Sequence, residues 1–318
     1  MWIENCGGRC PRRHALFLML LAVACAAQSA PDVHLFDYDA KASLDFHDNG
    51  AQDVSGIKVH DVSYASPKGG KVPAFLAVPP GNGAFAGIIF VHRGQGDRTE
   101  FLSEALILAR AGAESLLIDG VFNRPGGQAD DFTHPEKEKQ GYIQLVTDIR
   151  RGMDLLQSRP EVNGKRIAYV GHSYGATWGG VLAGVEHRII AYVLMGGLPQ
   201  YGDLSDNKWI WEQITKKYTN EQIDAYKKAY APLEPKNFVG LAPPSAIMFQ
   251  FAEQDRYITP ALAKIYWEAA REPKLQKWYD TSHEFNDPKA LLDRDQFLET
   301  QLKLKPVLPL IEQQMGLK

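Results

Sequence analysis

Cysteine is nearly absent. Of 318 residues only Cys6, Cys10 and Cys25 are cysteine, and all three fall within the first 30 positions. From residue 31 onward the chain therefore has no disulfide framework, no cysteine-ligated metal site and no thiol nucleophile. Clusters of basic residues are missing too. Lys and Arg total 35 against 38 Asp and Glu, the net charge is −3 and the pI is near 6.3. That balance argues against nucleic acid as a partner. No apolar run approaches the ~20 residues that a membrane-spanning helix needs, and no internal repeat or low-complexity tract is visible. What remains is an ordinary globular balance, 23% charged and 45% hydrophobic, long enough for one large α/β domain.

The first thirty residues read differently from the rest. Arg9, Arg12 and Arg13 form a basic start, residues 15–24 are apolar, and small residues continue to Ala30. This is the pattern of a secretory signal peptide, with cleavage after Ala27 or near Ala30. Ala22-Val23-Ala24-Cys25 also resembles a bacterial lipobox, which would leave Cys25 as a lipid anchor, although Ala22 stands where leucine is usual. Plain secretion, or export to the periplasm, is the preferred expectation. Removing residues 1–30 takes away three arginines and one glutamate and leaves the remaining domain, 31–318, more acidic.

Residues 33–56 are polar and Asp-rich and suggest an extended arm. Two strands follow, 57–65 and 72–79, around Pro67-Lys68-Gly69-Gly70. Residues 86–91 are continuously apolar, as a strand covered on both faces should be. A helix over 100–111 and a second buried strand over 115–118 come next, then a polar loop over 120–136. Ile143, Val146, Ile149, Met153 and Leu156 recur at helical spacing within 140–157. Strands over 166–170, 189–195, 245–251 and 275–279 alternate with helices over 176–184, 260–270 and 288–302. This order predicts a mostly parallel sheet flanked by helices. Regularity lapses after Gly196-Gly197 over residues 198–240, which contain Trp209, Trp211, Tyr218, Tyr226 and Tyr230. This reads as a helical insertion, either a lid over the sheet's carboxyl edge or a peripheral helical pair.

The chemistry centres on Gly171-His172-Ser173-Tyr174-Gly175, set between a strand and a helix rich in small residues. A serine at such a turn takes a strained conformation that presents its hydroxyl. A Cβ on either flanking glycine would strike the packed strand or helix. Serine is a poor nucleophile alone, so it needs a general base, and the base needs an orienting acid. On this architecture both follow later strands, acid first and histidine second. Asp255 follows the strand at 245–251, and His283 follows the strand at 275–279. Glu253 and Asp280 are rivals for the acid, and capping the next helix is the structural alternative for Asp255.

Nine histidines compete for the base. His14 lies in the leader, and His34, His47 and His60 precede the nucleophile. His92 ends a strand and suits a loop-shaping role. His134 and His187 suit solvated loops, and His172 should point away from the hydroxyl of its neighbour. Only His283 both follows the serine and stands on a post-strand loop. The oxyanion donors should be the backbone N–H of Tyr174 and one from His92-Arg93-Gly94-Gln95-Gly96, with Gly94 preferred and Arg93 second.

With residues 87–96, 171–175, 249–255 and 274–283 in view, the chain resembles the dienelactone-hydrolase-like group of α/β-hydrolases over nearly all of residues 31–318. The resemblance implies a Ser-His-Asp hydrolase of small-molecule carboxylic esters, working through an acyl-enzyme without cofactor or metal. Two departures stand out. The founding members use cysteine where this chain has Ser173, and Arg93 replaces the usual glycine after the loop histidine. Arg93 either grips an anionic substrate group or pairs with a surface carboxylate such as Asp97. Thioester hydrolysis, acyl transfer and peptide hydrolysis use the same triad. A non-catalytic binding module is disfavoured because both Ser173 and His283 are present.

Overall fold

The computed structural model describes residues 1–2, 30–125, 127 and 132–314. Residues 3–29 of the proposed signal segment, with its three cysteines, lie outside the described residues. From Pro31 onward the chain forms one compact unit. Its strands are β1 (His47–Val54), β2 (Ile57–Ala65), β3 (Lys71–Val78), β4 (Phe85–Val91), β5 (Ala113–Ile118), β6 (Val162–His172), β7 (Ala191–Met195), β8 (Ala246–Ala252) and β9 (Lys274–Tyr279). Among the described residues they make one nine-stranded sheet in the order β1-β2-β3-β5-β4-β6-β7-β8-β9. The first three pairings, β1 with β2, β2 with β3 and β3 with β5, are antiparallel; every later one is parallel.

The helices are α1 (Leu102–Ala111), α2 (Pro135–Ser158), α3 (Tyr174–Ala183), α4 (Lys208–Lys217), α5 (Asn220–Tyr230), α6 (Pro235–Phe238), α7 (Pro260–Ala269), α8 (Pro288–Leu302) and α9 (Leu308–Gln314). Two apolar layers cover the sheet. Ile89, Tyr169, Leu194 and Phe249 pack on one side with residues of α2, α3 and α7. Phe90, Val170, Val193 and Met248 pack on the other with α1, α8 and α9. The central strands bury both faces, so they read as unbroken apolar runs.

Three elements differ from the sequence reading. Residues 33–56 are not an extended arm. Phe36 closes a 3₁₀ turn and is fully buried, and β1 joins the sheet as its edge. β1 is exposed along nearly its whole length, so it carries no apolar alternation to betray it. Its hairpin turn was nonetheless written in Ser55-Gly56, both at positive φ (54° and 82°), the backbone that a two-residue hairpin requires. α2 begins earlier than its apolar stripe because Pro135 opens it and Glu136 and Glu138 favour its first turn. α9 is short and was not anticipated; it is seated by Val307 and Ile311.

Sheet order reverses at β4. The chain passes from β4 to β5 on one side, then returns to β6 on the other. A crevice opens beyond the carboxyl ends of parallel strands at such a reversal. The segments leaving β4, β6, β8 and β9 all reach that edge.

Candidate active site

Ser173 sits between β6 and α3 with φ 51° and ψ −103°, a sparsely populated conformation for a residue with a side chain. The surroundings over-determine it. Ser173 N–H donates to Met195 O at 2.7 Å, and Tyr169 Oη donates to Gly175 O at 2.7 Å. The two glycines are sterically required. A Cβ on Gly171 would lie 2.5 Å from the main chain of Gly175, and one on Gly175 would overlap the carbonyl of Val91.

A line of hydrogen bonds runs from this serine. Ser173 Oγ lies 2.7 Å from His283 Nε2, and His283 Nδ1 lies 2.6 Å from Asp255 Oδ2. The Asp255 side chain is wholly buried and the His283 side chain is 10% exposed, so water competes little for either contact. Asp255 Oδ1 also accepts the N–H groups of Tyr257 and Ile258, at 2.7 and 3.0 Å. The loop thereby orients the carboxylate. Thr259, not Asp255, caps α7. Of the rival acids, Glu253 is exposed and Asp280 accepts from Gln254 Nε2 at 2.6 Å.

Five other histidines have partners elsewhere. His34, His47 and His60 pair with Asp37, Asp45 and Asp48. His92 is buried between Arg93 O, 2.5 Å from Nδ1, and Gly120 N–H, which donates to Nε2 at 2.8 Å. Burial pushes its pKa down, which suits a loop brace. His172 does face away from the Ser173 hydroxyl. Its Nδ1 meets Glu100 Oε1 at 2.6 Å and its Nε2 meets the carbonyl oxygen of His283 at 2.8 Å.

Glu100 was not singled out in the sequence, because nothing local marks it. Burial pushes its carboxyl up, but the contacts from His172 and Arg93 outweigh that and hold it below the usual range. Glu100 Oε2 also takes the Arg93 N–H at 2.9 Å. The Arg93 amide, the second choice of oxyanion donor, is thus paired with a carboxylate in this structure. Its guanidinium lies 3.5 Å from both Glu100 and Glu284, so its partners are these two carboxylates and not Asp97. Gly94 faces the start of α3, where an added Cβ would rest 3.9 Å from Tyr174 Cβ. The first amides of a helix have no acceptor within it, and Tyr174 is the first residue of α3.

A pocket of about 220 Å³ opens onto Ser173 and His283, walled by Gly94, Leu198, Ile210 and Tyr257 among others. Leu198 and Ile210 belong to the insertion, which thus forms part of the site wall. Asn207 Nδ2 pins it there by donating to Arg256 O and Tyr257 O at 2.7 and 2.8 Å. Among the described residues no helix is long and apolar enough to cross a membrane.

Residues 34–239, more than half the chain, match the acetyl xylan esterase (AXE1) family. That stretch includes Ser173; Asp255 and His283 lie beyond it. No curated protein matches the chain. Among solved structures, the acetyl xylan esterase from Paenibacillus sp. R4 aligns with TM-score 0.68 at 21% identity, covering 86% of this chain and 100% of that one. Acetyl xylan esterase 1 from Thermoanaerobacterium sp. JW/SL YS485 aligns with TM-score 0.68 at 16% identity, covering 85% and 94%. An S-formylglutathione hydrolase from Agrobacterium tumefaciens aligns with TM-score 0.61 at 12% identity, covering 80% and 99%. At these identities the structures establish the α/β-hydrolase fold alone. The chain belongs to the acetyl xylan esterase (AXE1) family of carboxylic ester hydrolases.

Proposed function

We propose that the protein removes short acyl groups, acetyl foremost, from hydroxyls of a carbohydrate or similar alcohol, through an acyl-enzyme on Ser173. One observation carries this reading: the unbroken hydrogen-bond line from Ser173 Oγ through His283 to buried Asp255. His283 Nε2 takes the Ser173 proton as Oγ bonds to the ester carbonyl carbon. Asp255 holds the ring in place and stabilises the positive charge that it gains. The N–H groups of Tyr174 and Gly94 are the proposed donors to the oxyanion. As the carbon–oxygen bond to the alcohol breaks, His283 returns the proton to the departing oxygen. Water, deprotonated by the same histidine, then frees the acid. A pocket of about 220 Å³ favours a short acyl chain. The names of the similar acetyl xylan esterases point the same way. We also propose that residues 1–30 are removed on export, leaving 31–318 as the working domain, secreted or periplasmic.

The test is a panel of chromogenic esters of increasing chain length, with thioesters and aminoacyl amides beside them. Acetate esters should be best, and Ser173→Ala or His283→Ala should lower kcat by roughly 10⁴-fold with the fold retained. Asp255→Asn should also cripple the enzyme and Glu253→Gln should not. Faster turnover of amides or thioesters than of oxygen esters would overturn the substrate class. Full activity in Ser173→Ala would overturn the mechanism.

A further inference from the structure

Arg93 lines the pocket and Arg256 stacks on Tyr257 of its wall, and the two arginines have different partners. The Arg93 guanidinium is neutralised by Glu100 and Glu284. Among the described residues no carboxylate lies within ion-pair distance of the Arg256 guanidinium. It is nonetheless held. Its Cζ stands 5.2 Å from the ring centre of Trp209 and 4.9 Å from that of Tyr257, and Nη2 donates to Tyr257 Oη at 2.8 Å. The two rings meet edge to face at 5.7 Å, and Asn207 holds the main-chain carbonyl of Arg256. Stacking on aromatic faces orients a guanidinium and leaves its in-plane N–H donors open. Arg256 is thus an exposed, pre-oriented cation with most of its donors uncommitted.

Its position beside Tyr257 suggests which half of a substrate it would meet. The departing alcohol oxygen must lie within reach of His283 Nε2 to receive a proton. The ring beside His283 is Tyr257, 4.8 Å away between centres and itself part of the pocket wall. Arg256 stacks on that same ring. An alcohol half that leaves the pocket along Tyr257 would meet Arg256, while the proposed oxyanion donors are Gly94 and Tyr174.

We propose that Arg256 is a specificity-determining residue, and that the favoured substrates are esters whose alcohol half carries a carboxylate, as in an acylated sugar acid. This rests on the esterase reading above. A guanidinium meets a carboxylate with two parallel N–H donors, a geometry that an ammonium cannot reproduce. Holding the cation in an aromatic cage lowers the ordering cost of making that contact.

The test compares 3-carboxyphenyl acetate with its neutral 3-carboxamide analogue, using the full chain and reading the ratio of their kcat/KM values. Comparing that ratio between proteins cancels the intrinsic difference in leaving group. Arg256→Gln should lower the ratio roughly five- to tenfold, as an exposed but well-oriented ion pair would. Arg256→Lys should retain part of the preference, and Arg93→Gln should leave the ratio as it is. The wild-type ratio should fall with added salt, and that of Arg256→Gln should not. An unchanged ratio in Arg256→Gln would overturn the proposal, including the case in which both esters slow equally because neighbouring Asp255 has shifted. So would a ratio controlled by Arg93. If wild type cleaves the neutral ester in a Ser173-dependent way but shows no such ratio change, only this inference fails. If it cleaves neither, the esterase reading fails and takes this inference with it.

Discussion

His172 supports His283 through the main chain. Its Nε2 lies 2.8 Å from the His283 carbonyl oxygen, while its Nδ1 lies 2.6 Å from Glu100. The ring is therefore held at both of its nitrogens, by a carboxylate on one side and a main-chain carbonyl on the other. The residue before the nucleophile thus fixes the loop that carries the proposed base, and Glu100 fixes that residue in turn.

Breaking this support should misplace His283 without removing it. His172→Ala should lower kcat roughly tenfold with little change in KM, the size of one buried positioning contact. His172→Gln can still donate to the carbonyl and should recover part of the loss. Steady-state kinetics decide it: a purely structural role would lower the active fraction and leave kcat per active site, from burst titration, untouched.

The turn itself should tolerate no methyl group. Gly175→Ala would push Cβ into the Val91 carbonyl, a backbone atom of a central strand that cannot step aside. The expected cost exceeds about 3 kcal/mol, in the range of severe overpacking. It would be read as a fall in urea midpoint at constant m, or as loss of soluble protein. A midpoint equal to wild type would show that the turn relaxes easily.

Glu234 should impose a pH dependence on stability. Its carboxylate accepts the N–H groups of Tyr201 and Gly202 at 2.5 and 3.1 Å, clasping the loop after β7. Burial nevertheless pushes it up to about 7 from the ordinary 4.5, against the pull of those contacts. The folded chain then binds more protons here than the unfolded chain between these values. Its contribution is therefore fully present below pH 4.5 and is lost as pH rises through 7. Glu234→Gln should flatten that decline. Thermal midpoints across pH 4–8 for both proteins would show it, and parallel curves would exclude Glu234 as the source.

The proposed export would leave a mass signature. In the native host the amino terminus should fall between about Cys25 and Pro31, as the length of the apolar run implies. A diacylglyceryl mass on Cys25 would identify a lipoprotein instead. Retention of Met1 would rule out both forms of processing.

Local chemistry in the sequence determined the α/β architecture, the turn at Ser173 and the identity of its candidate partners. Buried parallel strands read as apolar runs, glycines mark the places where a Cβ cannot fit, and chain order separates His283 from its rivals. Those are short-range or one-dimensional signals. The edge strand β1 was hidden because an exposed strand need not alternate. The contacts of Glu100 with His172, of Asn207 with Tyr257 and of Arg256 with Trp209 were hidden because each pair lies dozens of residues apart in sequence. Only the tertiary structure decided which arginine near the pocket is left without a carboxylate partner among the described residues. A guanidinium's role depends on the carboxylates within a few ångströms of it, and the fold alone brings Glu100 and Glu284 to Arg93 while leaving Arg256 on two aromatic rings.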